Sequence, residues 1–130
     1  MADTFSLNQI GQIAVYVKDL DRAVAFYKDM LGMPFLFQAP PGLAFFNCSG
    51  IRLMLNRPET GTDEAALGTS IIYYKVPNID AAYAALRSKG ASFMDQPHKI
   101  ADMPDHELWM VFLRDSEGNL LGLMAEKPLP

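Results

Sequence analysis

Two stretches of this 130-residue chain follow one pattern, and that repeat restricts the fold more than any other feature. Val17–Asp21 reads VKDLD and Val76–Asp80 reads VPNID. Each follows a short β-type run, Ile10–Val17 or Ser70–Val76, and each leads into a helical pattern that stops at a glycine. Leu20, Val24, Tyr27 and Leu31 share one face of the first helix, and Ile79, Ala82, Tyr83 and Leu86 share one face of the second. Asp19 or Asp21 can cap the first N-terminus and Asn78 or Asp80 the second, with Gly32 and Gly90 as left-handed stops.

Three strand candidates follow each helix. The first set is Pro34–Gln38, Leu43–Cys48 and Ile51–Asn56; the second is Ser92–Gln96, Glu107–Arg114 and Asn119–Glu126. The segment Arg114–Asn119 (RDSEGN) is a hairpin turn, with Cys48–Gly50 as its shorter counterpart. The chain therefore reads as βαβββ twice. The expected class is α+β, with two βαβββ modules forming an open, curved mixed sheet around a cleft and helices on the outside. It fits a single domain over residues 1–130: one module over about 10–57, a linker over about 58–69 and a second module over about 70–126.

Composition excludes several classes. The net charge is −4 and the lysines and arginines are scattered, which argues against a nucleic-acid partner. No apolar run approaches the roughly 18 residues of a membrane span, and the N-terminal residues lack a secretory signal pattern. A lone cysteine, Cys48, fits a reducing, cytoplasmic setting and reads as structural rather than nucleophilic, since no positive charge flanks it. No phosphate-cradling glycine loop, nucleophile elbow or paired catalytic carboxylates are present.

The element order, the junction VKDLDRAVAFYKDMLGMPF (Val17–Phe35) and the hairpin FLRDSEGNLLGLM (Phe112–Met124) together resemble the vicinal-oxygen-chelate superfamily of glyoxalases, bleomycin-resistance proteins and extradiol-dioxygenase-like enzymes. The resemblance spans Ile10 to about Glu126. It implies metal ligands, commonly His, Gln or Glu, on the first and fourth strand of each half. Those positions fall on Gln12, Met54, Ile71 and Gly122. Gln12 offers one neutral oxygen, Met54 a soft sulfur, and the other two no donor, which disfavours a divalent metal. No metal ligand and no cofactor are expected. The family resemblance also implies a homodimer.

Strand alternation from these positions turns Gln12, Arg52, Met54, Tyr73 and Gly122 toward the cleft, with Met110 and Phe112 brought in across the hairpin. Gly122 would leave floor space there. In the stretch Pro97–Trp109, read as a loop, His106 starts a cleft strand and is a candidate acid/base, as is Tyr73, whereas His98 belongs to no metal-binding spacing. Trp109 is expected on the helix side. The expected ligand-binding set is Gln12, Arg52, Met54, Tyr73, His106, Met110, Phe112 and Gly122. The leading function is metal-independent binding of a small apolar or aromatic molecule. The alternative is a glyoxalase-like lyase or isomerase, or a dioxygenase-like enzyme, with a non-standard metal site or histidine acid/base catalysis. The residues are compatible with both readings.

Overall fold

The structure, a computed structural model, describes residues 10, 12–58 and 70–130. Most of the expected linker lies outside the described residues. The first unit runs β1 (Gln12–Tyr16), α1 (Leu20–Ala25), β2 (Phe35–Ala39), β3 (Leu43–Cys48) and β4 (Ile51–Asn56). The second runs β5 (Ile72–Lys75), α2 (Ile79–Ser88), β6 (Ser92–Phe93), β7 (His98–Asp102), β8 (His106–Arg114) and β9 (Leu120–Pro128). The result is α+β with two open sheets of mixed strands, as the repeat requires. Strand order is β1-β4-β3-β2 in one sheet and β5-β9-β8-β6 in the other. Each sheet has one parallel pair, β1 with β4 and β5 with β9, so the two units share one topology.

The caps resolve to Asp19, which accepts from the Arg22 N–H at 3.0 Å, and Asn78, which accepts from the Ala81 N–H at 3.0 Å. Gly32 and Gly90 end the helices at φ of 70° and 91°, a conformation that a Cβ disfavours. After Ala25 the first helix widens into a π-helical turn, Phe26–Met30, closed by the Leu31 N–H bonding to the Phe26 carbonyl. The wider turn puts Ala23, Phe26 and Tyr27 on the buried side, whereas a regular period favours Leu20, Val24, Tyr27 and Leu31.

The stretch Pro97–Trp109 is not simply a loop, because His98–Asp102 forms a strand on β8. The expected strand Ser92–Gln96 shrinks to Ser92–Phe93, and edge pairing resumes at His98. Between them the Asp95 carboxylate accepts from the Phe112 N–H at 2.9 Å, standing in for a ladder bond where Pro97 breaks the pairing.

One continuous core joins the helix-bearing faces of both sheets, drawing on Val15, Leu53, Leu55 and Phe46 from the first and Val111, Leu113, Leu121 and Leu123 from the second. Each such side chain contributes about 1.5–3 kcal/mol through burial. Polar contacts also tie the units together. Buried Asp115, on the β8–β9 turn, accepts from the Tyr27 hydroxyl at 2.8 Å, the Asn119 side chain at 2.9 Å and the backbone N–H groups of Glu117 and Asn119. The Asn119 side chain also donates to the Tyr16 carbonyl at 2.9 Å. Burial, with Asp115 beside it, pushes the Tyr27 phenol far above its ordinary range. Strand alternation leaves the opposite face of each sheet turned away from this core.

Candidate functional site

On the outer face of the first sheet, β1 exposes Gln12 and Ala14, and β4 contributes Arg52 and Met54. Gln12 pairs with Arg52 and Ala14 with Met54 across the parallel ladder. The Gln12 side-chain amide lies 3.8 Å from the Met54 sulfur, a weak acceptor. The Arg52 guanidinium sits 5.4 Å from the centroid of the Phe45 ring, and Phe37 stacks on the same ring at 4.7 Å. Phe37 and Phe45 were not among the residues expected from sequence. The signal is the Phe45–Phe46 doublet in a strand: alternation must send the two rings to opposite faces, and Phe46 joins the core while Phe45, also buried, is covered on the other face.

On the second sheet the ladder places Tyr73 and Phe112 on either side of Gly122. Their rings meet edge to face at 5.8 Å. The space expected above Gly122 is filled: a Cβ built there would lie 2.7 Å from Tyr73 Cδ2 and 3.2 Å from Phe112 Cε1. The glycine permits a close approach of rings rather than leaving a floor for a ligand. Met110 pairs with Met124 on the next row. Tyr73 remains 44% exposed, and Ile71, immediately before β5, is 40% exposed. Trp109 packs on the helix side, with Lys127 over its ring at 3.7 Å.

His106 opens β8 at the far end of that sheet, opposite Pro128. Its Nδ1–H donates to Asp105 Oδ1 at 2.6 Å, and its Nε2 faces Glu126 Oε1 at 3.7 Å. Glu126 in turn lies 3.9 Å from Lys75 Nζ. His98 is on a different row, opposite Met110, and donates from Nδ1 to the Gln96 carbonyl at 2.8 Å. The eight expected residues thus form two groups: Gln12, Arg52 and Met54 on one sheet, and Tyr73, His106, Met110, Phe112 and Gly122 on the other. A surface cavity of about 620 Å³ lies elsewhere, between Lys18–Asp21 and Gln38–Pro41, and none of the eight lines it.

The donor set does not fit a divalent metal. Gly122 has no side chain and Tyr73 occupies the space one would need, Ile71 has no donor, and the Gln12 amide meets a thioether. Among the described residues no three His, Cys, Asp or Glu side chains are placed so that they could hold a metal ion.

Comparison with known proteins agrees with this architecture. The sequence pattern of the Glyoxalase/Bleomycin resistance protein/Dioxygenase superfamily matches residues 9–123. The Bacillus subtilis (strain 168) protein YraH is 27% identical over 121 residues, covering 85% of this chain and 92% of YraH. Among solved structures, lactoylglutathione lyase from Agrobacterium tumefaciens superposes with a TM-score of 0.76 at 23% identity, covering 92% of this chain and 95% of that one. TnmS3, an antibiotic binding protein from Streptomyces sp. CB03234, superposes with a TM-score of 0.73 at 20% identity, covering 95% of this chain and 100% of that one. At these identities the superpositions speak for the fold.

Proposed function

The chain belongs to the glyoxalase/bleomycin resistance protein/dioxygenase superfamily, and from that premise we propose that it binds a small apolar or aromatic molecule without a metal. The observation that carries this reading is the Tyr73–Phe112 pair closed over Gly122, an aromatic surface where a metal site would need hard donors. Tyr73, Phe112, Met110 and Met124 offer a ligand ring contacts and polarizable sulfur, while Gln12, Arg52 and His106 supply orienting polar groups. The antibiotic-binding TnmS3 shares the fold, which is consistent with a binding role.

The protein acts as a homodimer in this reading. Tyr73, Ile71 and Phe37 are each at least 40% exposed, so a ligand on either open face is covered on one side, and a second copy would supply the other wall. No helix among the described residues is long and apolar enough to cross a membrane, and the lone cysteine suits a reducing cytoplasm. The test is titration of the protein with a neutral polycyclic aromatic, followed by amide NMR, with sedimentation velocity for the assembly. Shifts on the outer sheet faces are expected, at Tyr73, Phe112 and Gly122 or at Phe37 and Arg52; shifts confined to other surfaces would count against the reading.

One arrangement favours a second reading, an enzyme using acid/base chemistry. Asp105 fixes the His106 ring by its Nδ1–H, which leaves Nε2 as the basic atom on the outer face. Tyr73 would then position the substrate ring or donate a proton. Loss of turnover in His106→Ala with ligand affinity retained would select this reading. Unchanged behaviour across glyoxalase-type, lyase and dioxygenase substrates would set it aside.

A further inference from the structure

We infer that the ligand is an aromatic compound bearing a carboxylate, and that Arg52 on the first sheet reads that charge. The inference rests on the binding reading above and adds the ligand's chemical class. The four strands of the first sheet, QIAVY, FLFQA, LAFFNC and IRLMLN, contain a single charged residue, Arg52, and no acid. Among the described residues Arg52 makes no ion pair.

The guanidinium is nevertheless held in place. It lies over Phe45 at 5.4 Å, and Phe45 is stacked by Phe37 at 4.7 Å, so contact runs from Phe37 through Phe45 to Arg52 across three strands, with Arg52 reaching the ring from the position diagonal to Phe45, whose ladder partner is Met54. Phe45 is covered by these contacts, while Phe37 is 45% exposed and presents ring surface to solvent. Stacking orders the planar group without using its N–H donors, which stay available for a bidentate carboxylate. An aryl carboxylate meets both demands, with its ring beside Phe37 and its charge at Arg52. Gln12, in register with Arg52 on the neighbouring strand, adds a neutral polar group and no competing charge.

Lys75, on the strand that carries Tyr73, is a weaker candidate. Glu126 lies 3.9 Å from its ammonium and partly cancels its field.

Two probes of equal shape separate the possibilities: naphthoate and its neutral amide, naphthamide, each titrated into the full chain and followed by amide NMR. Naphthoate is expected to bind at least about tenfold more tightly, the worth of a charged bidentate contact, and to shift Phe37, Phe45 and Arg52. Arg52→Gln and Arg52→Met should each remove the preference, Met also keeping apolar cover over Phe45, whereas Lys75→Gln should keep it. Equal affinity for the two probes, or a preference that survives both Arg52 variants or follows Lys75, would overturn the inference while leaving the binding reading intact. If neither probe shifts any outer-face residue, both fall together.

Discussion

The carboxylate of Glu117, on the turn of the second unit, meets the guanidinium of Arg22, on the helix of the first, at 2.7 Å. Glu117 does more than pair. Its Oε1 also accepts the backbone N–H groups of Lys18 and Asp19 at 2.8 and 2.7 Å, and its side chain is only 1% exposed. The entry to the first helix is therefore completed by a residue from the other unit. Burial pushes the Glu117 carboxyl up, but the Arg22 guanidinium, the Asp19 and Lys18 N–H groups and the Ser116 hydroxyl outweigh it and hold the carboxyl down at about 2.

Replacing Glu117 with Gln should cost about 2–3 kcal/mol at neutral pH, because charged hydrogen bonds to a buried acceptor are lost. The sign of the pH dependence follows from the depressed carboxyl. Its stabilisation is complete above the unfolded value of about 4.3 and is lost as pH falls toward the folded value. Urea unfolding at a series of pH values should show wild type and Glu117→Gln converging as pH drops from 5 toward about 2. A gap that stays constant over that range would mean the charge is not what matters.

Tyr27→Phe removes one donor from Asp115 and leaves the Asn119 and Glu117 donors in place. The expected loss is about 1–2 kcal/mol, whereas Asp115→Ala, which strands every one of those donors, should cost about 3 kcal/mol or more. Equilibrium urea melts with unchanged m-values would check both. Equal losses for the two variants would contradict the network.

The repeat, the caps and the inward and outward alternation were legible because each is local: a period, a short polar residue before a helix, a glycine after it. What escaped the sequence depends on contacts across strands. The β7 strand begins only after Asp95 has replaced a ladder bond, and nothing local marks His98–Asp102 as a strand. The filled space at Gly122 is hidden from the sequence for the same reason. A glycine at a position where the resemblance implies a ligand looks like vacant floor, and only the ladder shows that Tyr73 is its direct neighbour. The Phe37–Phe45–Arg52 contact requires the register shift between Phe35 and Phe37, which turns Phe35 onto Phe46 in the core and Phe37 onto Phe45 outside.

Metal dependence gives a clear contrast between the readings. Dialysis against a strong chelator should leave affinity for a neutral aromatic probe and the urea midpoint unchanged, since the family's ligand positions here hold Gln12, Met54, Ile71 and Gly122. A chelator-sensitive affinity that is restored by one divalent ion would reverse that conclusion and bring Gln12 back as a ligand.

Gly122→Ala tests the aromatic pair most directly. The added methyl group would stand 2.7 Å from Tyr73 Cδ2 and 3.0 Å from Cε2, inside van der Waals contact, so the ring must leave. Tyr73 is 44% exposed and can swing outward, so the stability cost should stay below about 1 kcal/mol. The contact with Phe112 is lost all the same, and affinity for a neutral aromatic should fall several-fold. Aromatic NMR cross-peaks between Tyr73 and Phe112 report the first effect, and titration reports the second. Tyr73→Ala provides the control. With the ring already gone, adding Gly122→Ala should change affinity no further, a non-additivity that marks the two residues as one contact. Additive losses in that cycle would place the effect of Gly122 somewhere other than beneath Tyr73.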